Sequence, residues 1–230
     1  MSSAPRSALE QSWIDNAAGW IEAVRKDCIE SRTLVTNAAM IDAVINSPDT
    51  SSPRRILDMG CGEGWLLREL GARGIDAVGV EASAPLAEAA RAEGNRVFQL
   101  SYADITALPA QAGSDYAAVV FNFSLFDQDL APLLKAVGHL LKEEGHLLIQ
   151  TLHPGTAPGK QDSVNGWRTE TFEQFGGAFP SPMPWYFRTL TSWINLLRES
   201  GYRIRDIQEP AHPRTGLPAS LLLICERASS

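Results

Sequence analysis

The stretch Ile56-Leu57-Asp58-Met59-Gly60-Cys61-Gly62-Glu63-Gly64-Trp65 decides the fold. Arg55 to Met59 is a short apolar run that predicts a buried strand, and Trp65 to Ala72, stopped by Gly74, has the spacing of a helix. Glycines between a strand and a helix let the main chain pass close to a nucleotide. A dinucleotide-binding turn continues as G-x-G-x-x-G, with a small residue where the helix packs on the sheet and the pyrophosphate meets the helix end. Here the spacing is G-x-G-x-G and Trp65 stands in that place, too large for the job.

Downstream, strands are expected at Ile75 to Val80, Val97 to Leu100, Tyr116 to Phe121 and His146 to Thr151. Helices separate them. One runs from Ser83, its cap, to Arg91, with Pro85 in the first turn and Gly94 at the end; another carries Leu130, Leu133, Leu134, Val137, Leu140 and Leu141 behind Asp129 as cap. This alternation means βαβ units, a parallel sheet and right-handed crossovers, so the core is doubly wound α/β. A helix over Leu190 to Glu199, stopped by Gly201, then strands at Tyr202 to Ile207 and Ser220 to Cys225, predict a closing antiparallel C-terminal hairpin.

Upstream, Leu9, Trp13, Ala17, Trp20 and Val24 share one helical face, and Leu34, Val35, Ala38, Ile41 and Ile45 repeat the pattern. Asn46-Ser47-Pro48-Asp49 breaks the chain, and Ser51-Ser52-Pro53 continues as loop. Residues 155–188 interrupt the α/β rhythm: Gly155, Pro158, Gly159, Gly176, Gly177, Pro180, Pro182 and Pro184 alternate with Trp167, Phe172, Phe175, Phe179 and Trp185. A loop of that length in a compact domain is usually a functional lid or a partly disordered segment, and a lid is expected of this one. The 230 residues are therefore expected to form one domain: a helical N-terminal cap (1–50), a ligand-binding core (54–152), a lid (155–188) and a terminal helix with strands (189–230).

Composition fits that size, with 44% hydrophobic and 20% charged residues. Twenty Lys and Arg against 27 Asp and Glu give a net charge of -7, which opposes polyanions and makes nucleic acid or an anionic membrane surface an unsuitable partner. Cys28, Cys61 and Cys225 form no ligand cluster and fit a reducing compartment. The opening residues lack a basic segment leading into an apolar run, and no apolar stretch approaches the roughly 20 residues that span a bilayer. A cytoplasmic monomer or homodimer is expected.

The glycine stretch resembles motif I of class I S-adenosylmethionine-dependent methyltransferases, with Asp58, Gly60, Gly62 and Gly64 matching position by position. The resemblance extends over residues 54–152, and the terminal helix and strands agree with the family's topology; it implies a seven-stranded, mostly parallel sheet. It also implies the cofactor S-adenosyl-L-methionine, with S-adenosyl-L-homocysteine as product. Around the glycines, Cys61, Ala82 and Asn122 line the same cofactor, and Asp58 stands near its cationic amino-acid end. Glu81, at the end of the second strand, accepts from the ribose hydroxyls. Ser101-Tyr102-Ala103-Asp104-Ile105 resembles the adenine-binding segment, with Asp104 accepting from the exocyclic amine and Ala103 and Ile105 beside the ring. Trp13, Trp20 and Glu30-Ser31-Arg32 resemble the N-terminal caps of small-molecule methyltransferases, in which Arg32 pairs with the cofactor carboxylate.

Methyl transfer is an in-line displacement from a sulfonium, so positioning suffices unless the acceptor must lose a proton. His153, an imidazole at a strand end, and Asp127 are the catalytic candidates. Trp167, Arg168, Trp185, Tyr186 and Arg188 are expected to build an aromatic and cationic wall for a small planar or anionic acceptor. No metal is expected, because Asp127 and Asp129 lack a convergent third ligand. Asn122-Phe123-Ser124-Leu125 replaces the Asn/Asp-Pro-Pro-aromatic run of nucleobase and glutamine methyltransferases. Two other functions fit the same pocket: a nicotinamide-dependent oxidoreductase, opposed by Trp65 and Asp104, and a non-catalytic S-adenosylmethionine-binding protein.

Overall fold

The run Tyr-Ala-Ala-Val-Val-Phe at 116–121 is apolar at every position, and a strand of that kind has to be covered on both faces. In the computed structural model, which describes residues 4–47, 54–156, 164–173, 175 and 178–228, it lies in the middle of a seven-stranded sheet. The strands are β1 (Arg55–Met59), β2 (Asp76–Val80), β3 (Val97–Phe98), β4 (Tyr116–Asn122), β5 (Leu141–Thr151), β6 (Gly166–Glu170), β7 (Met183–Phe187), β8 (Tyr202–Gln208) and β9 (Leu221–Arg227). The sheet order is β3-β2-β1-β4-β5-β9-β8, parallel through β5, with β9 antiparallel to both β5 and β8. The expected doubly wound sheet and its antiparallel C-terminal strands are both present.

Among the described residues eight α-helices complete the fold: α1 (Ala4–Asp15), α2 (Ala17–Arg25), α3 (Asn37–Asn46), α4 (Trp65–Gly71), α5 (Ala84–Ala92), α6 (Tyr102–Ala107), α7 (Ala131–Val137) and α8 (Leu190–Glu199). Period-two alternation divides the strand side chains between two layers. Ile56, Ala118, Val120, Leu148 and Leu222 pack against Met40, Ile41 and Val44 of α3 and Leu66 and Leu70 of α4. Leu57, Val119, Phe121, Leu147, Ile149 and Leu223 face the other way, toward Leu133, Leu134 and Val137 of α7 and Trp193 and Leu197 of α8. Among the described residues no helix is long and apolar enough to cross a membrane.

Several local expectations are corrected. The first helical stripe is broken at Asn16 (φ -93°, ψ 5°), whose buried amide donates to Ser12 Oγ and the Ser181 carbonyl and accepts from the Ser181 amide at 3.1 Å. The second opens with a π-helical turn, Arg32–Thr36, of the kind often found at functional sites. Leu130, not Asp129, precedes α7, and Ser83 occupies the cap position of α5 without a side-chain capping bond. The lid contains a two-stranded antiparallel sheet, β6 with β7, where only loop was expected. The breaks at Pro48-Asp49 and Ser51–Pro53, and Pro158, Gly159, Gly176 and Gly177 of the lid, lie outside the described residues.

Candidate active site

The ends of β1, β2 and β4 open onto one cavity of about 440 Å³, roofed by α1, α2 and the β6–β7 hairpin. Its location follows the rule that open α/β sheets bind ligands beyond the carboxyl ends of their strands. Gly60 has φ +77°, and a Cβ there would stand 2.7 Å from Ser124 Cβ and 2.8 Å from Tyr102 Oη. Ser124 Oγ and Tyr102 Oη both donate to the Met59 carbonyl, at 2.7 and 3.2 Å, so the wall behind Gly60 is fixed. Gly62 (φ +57°) differs, because no atom lies within 4 Å of its Cβ position and the cavity lies beside it. Phe123 adopts φ +51° at the end of β4, an unusual conformation for an aromatic residue, held by its amide donating to Gln150 O at 2.8 Å.

Electrostatically, this end of the cavity is a set of buried charges. Glu81 accepts from the Gly62 amide at 2.9 Å and the Ser83 amide at 2.8 Å. Burial still pushes its carboxyl upward, against those bonds. Asp58 is fully enclosed at the end of β1; burial first, and the neighbouring Glu81 second, raise it to about 7, with Arg32 pulling the other way. Arg32 is itself lowered to about 10 by burial and lies 4.9 Å over the Trp65 ring. Glu63, missed in the sequence, is buried between Arg68 (2.8 Å) and Arg25 of α2 (3.2 Å), tying the cap to the glycine turn.

Four buried polar atoms here, Asp58 Oδ1, Asn122 Oδ1, Ser83 Oγ and Arg32 Nη2, have no hydrogen-bond partner among the described residues. Unsatisfied groups of this kind call for a ligand or water. Two acceptor oxygens, a hydroxyl and a guanidinium match the ammonium, hydroxyl and carboxylate groups of an amino-acid nucleoside. Cys61, Ala82, Gly60, Gly62, Glu81 and Asn122 line the cavity together with Arg32. Gly64 is set back against Asn95 and Ala90, shaping the turn from behind.

Other expected residues lie elsewhere. Asp104 Oδ2 accepts from both Ser101 N (2.8 Å) and Ser101 Oγ (2.7 Å), forming the capping box of α6. Those bonds hold the exposed Asp104 carboxyl below its usual range. Ala103, Asp104 and Ile105 are absent from the lining, because β3 ends at Phe98 and Ser101 and Tyr102 reach the cavity instead. The pattern Ser101-x-x-Asp104 was the readable sign of the cap. His153 is also displaced from its expected role. Its Nδ1 accepts from the Gly155 amide (3.1 Å) and its Nε2 meets Glu209 at 2.7 Å, so both ring nitrogens are engaged outside the lining. Accordingly, His153→Ala is expected to leave the pH profile of kcat unchanged, and a lost acidic limb of that profile would restore the histidine as a base.

Asp127 does face the cavity, paired with Arg6 of α1 at 3.1 Å and accepting from Gln128 N at 2.6 Å. Of the lid residues, Trp185 lines it while Trp167 and Tyr186, partners on the hairpin's opposite face, meet edge-to-face at 5.5 Å. Arg168 shares the Trp185 face but lies 3.6 Å over the Phe187 ring, outside the lining. The chamber under the hairpin is instead built by Trp13, Trp20, Phe126, Phe172, Phe175 and Trp185. Trp13 stacks on Trp20 at 5.3 Å, and Trp20 meets the Phe172, Phe175 and Phe179 rings edge-on at 5.1 to 5.5 Å.

The family model described as a methyltransferase domain matches residues 36–207. Among curated proteins, an uncharacterized methyltransferase of Schizosaccharomyces pombe is 23% identical over 181 residues, covering 74% of this chain and 67% of its own. Among solved structures, the 1,6-didemethyltoxoflavin-N1-methyltransferase of Burkholderia thailandensis, with bound 1,6-didemethyltoxoflavin and S-adenosylhomocysteine, superposes at a TM-score of 0.67. It is 18% identical, over 100% of this chain and 92% of that one. An S-adenosylmethionine-dependent methyltransferase of Mesorhizobium loti follows at 0.61 and 19%, over 82% and 98%. These two carry the fold, and the family match carries the rest: the chain belongs to the methyltransferase domain family and is an S-adenosyl-L-methionine-dependent methyltransferase of class I.

Proposed function

We propose that the protein transfers a methyl group from S-adenosyl-L-methionine to a small-molecule acceptor, in a single domain made of cap, core and lid. The observation that carries this reading is the continuity of the cavity, from the glycine turn into an aromatic chamber roofed by α1, α2 and the hairpin. A volume of about 440 Å³ suits a cofactor and a compact acceptor. The net charge of -7 speaks against a polyanionic acceptor in the same direction.

The bound cofactor supplies a methyl carbon on a sulfonium, whose leaving thioether needs no proton. This chain's own residues bind and orient. Arg32 holds a carboxylate, Asp58 an ammonium and Glu81 hydroxyls, while Ser101 and Tyr102 flank the purine end. The stacked Trp13, Trp20 and Phe126 rings exclude water from the attack line and fix the acceptor, which supplies the largest part of such a rate enhancement. The test is incubation of a cell extract that retains its metabolites with the protein and methyl-labelled donor, followed by size separation and chromatographic removal of unreacted donor. Label is expected in the low-molecular-weight fraction; label confined to protein or nucleic acid would overturn the small-molecule reading.

A further inference from the structure

The acceptor chamber is aromatic and, beyond that, acidic. Glu10 and Asp127 line it and close on the single guanidinium of Arg6, at 3.5 and 3.1 Å. Glu170, half-buried at the end of β6, adds a third carboxylate beneath the hairpin, with Oε1 accepting from the Phe172 amide at 2.8 Å. The arginines that the sequence offered for this wall are occupied elsewhere. Arg188 donates to the carbonyls of Asp127 and Gln128, and Arg168 stacks on Phe187. Among the described residues the lining at this end therefore carries three carboxylates against one cation. Its walls are ring faces, and the negative face of an aromatic ring attracts a cation.

We propose that the acceptor is an organic amine carrying an apolar or aromatic body, bound as its ammonium ion by Glu170 among the rings of Trp20, Phe172 and Trp185. The proposal rests on the methyltransferase reading of the same cavity and narrows it to N-methylation. Pairing Glu170 with Met183 across the hairpin puts it on the face that carries Trp185, so carboxylate and rings address one ligand. For transfer, the ammonium gives up one proton to water by way of the Glu170 carboxylate. The freed nitrogen lone pair then forms the new N–C bond as the donor's S–C bond breaks, its electron pair staying on sulfur. Glu170 thereby acts as a specificity-determining residue, whereas Asp127, already held by Arg6, shapes the rim.

The test is binding to the whole protein, followed by tryptophan fluorescence and calorimetry, with three probes that share a phenylethyl body: 2-phenylethylamine, 2-phenylethanol and 3-phenylpropionate. A first titration with S-adenosylhomocysteine is read separately; failure there sinks the methyl-donor reading itself, whatever the probes do. With S-adenosylhomocysteine bound, the amine is expected to bind at least about tenfold more tightly than the alcohol, and the carboxylate least of all. Glu170→Gln is expected to remove about tenfold of the amine's affinity, leave the alcohol unchanged, and keep the wild-type melting temperature and S-adenosylhomocysteine affinity. Equal or better binding of the alcohol or carboxylate overturns the proposal. So does a loss in Glu170→Gln shared by all three probes, or no binding by any of them to the loaded protein.

Discussion

Gly62→Arg is expected to weaken S-adenosylhomocysteine binding at least about 100-fold, a loss of roughly 2.7 kcal/mol, while the protein stays folded. The reason is local. With nothing within 4 Å of its Cβ position and the cavity alongside, a long side chain at 62 goes into the ligand's space and leaves the core intact. The φ of +57° adds a left-handed penalty of about 1–2 kcal/mol, which a domain can carry. Gly60→Ala makes the contrast: its new methyl meets Ser124 and Tyr102, both anchored to the Met59 carbonyl, so that variant is expected to lose thermal stability first. Calorimetric titration beside thermal melting separates the two effects. Normal affinity in folded Gly62→Arg would show that the cofactor does not pass this turn.

The second large effect is expected from Asp58→Asn, and it has two opposite signs. Asp58 sits at about 7 in the folded protein against an ordinary 3.8, chiefly through burial. Between those two values the folded state holds a proton that the unfolded chain has released, so stability falls as pH rises from about 4 to 7 and is level above. Removing the charge is expected to relieve up to about 4 kcal/mol of that penalty above pH 7, raising the melting temperature of the ligand-free protein. The same substitution removes the anion proposed to meet the cofactor's ammonium, and a loss of at least about tenfold in S-adenosylhomocysteine affinity is expected. A stabilising change that costs binding marks a group retained for function. Melting curves of wild type and variant that run parallel across pH 4–8 would remove Asp58 from this account.

Much of the fold was legible because its signals are local. Tyr116 to Phe121 has to be a central strand since no position offers solvent a polar side chain, and Leu190 to Glu199 is closed by Thr189 and Gly201 within its own turn. The glycine turn was legible because backbone conformation dictates residue type there. The break at Asn16 was not, for its cause is Ser181, distant in sequence, and the helical stripe runs straight through it. Pro184 and the neighbouring glycines and prolines concealed β7, although Met183, Trp185 and Phe187 alternate as a strand should. At the site, Gly60, Gly62, Glu81 and Arg32 come together at the cavity, with Asp58 enclosed behind them, because β1, β2 and the cap deliver them to one end of the sheet. Glu63, Glu170 and the aromatic chamber were illegible because each depends on a partner supplied by α1, α2 or the hairpin.

The measurement that addresses the central claim most directly is calorimetric titration of the wild-type protein with S-adenosylhomocysteine and, separately, with NADH at pH 7.5. Saturable one-to-one binding of S-adenosylhomocysteine in the micromolar range, with no heat from NADH, is the predicted result. Saturable binding of NADH with none of S-adenosylhomocysteine would contradict the assignment of the glycine turn, Glu81 and Asp58 to a methyl donor.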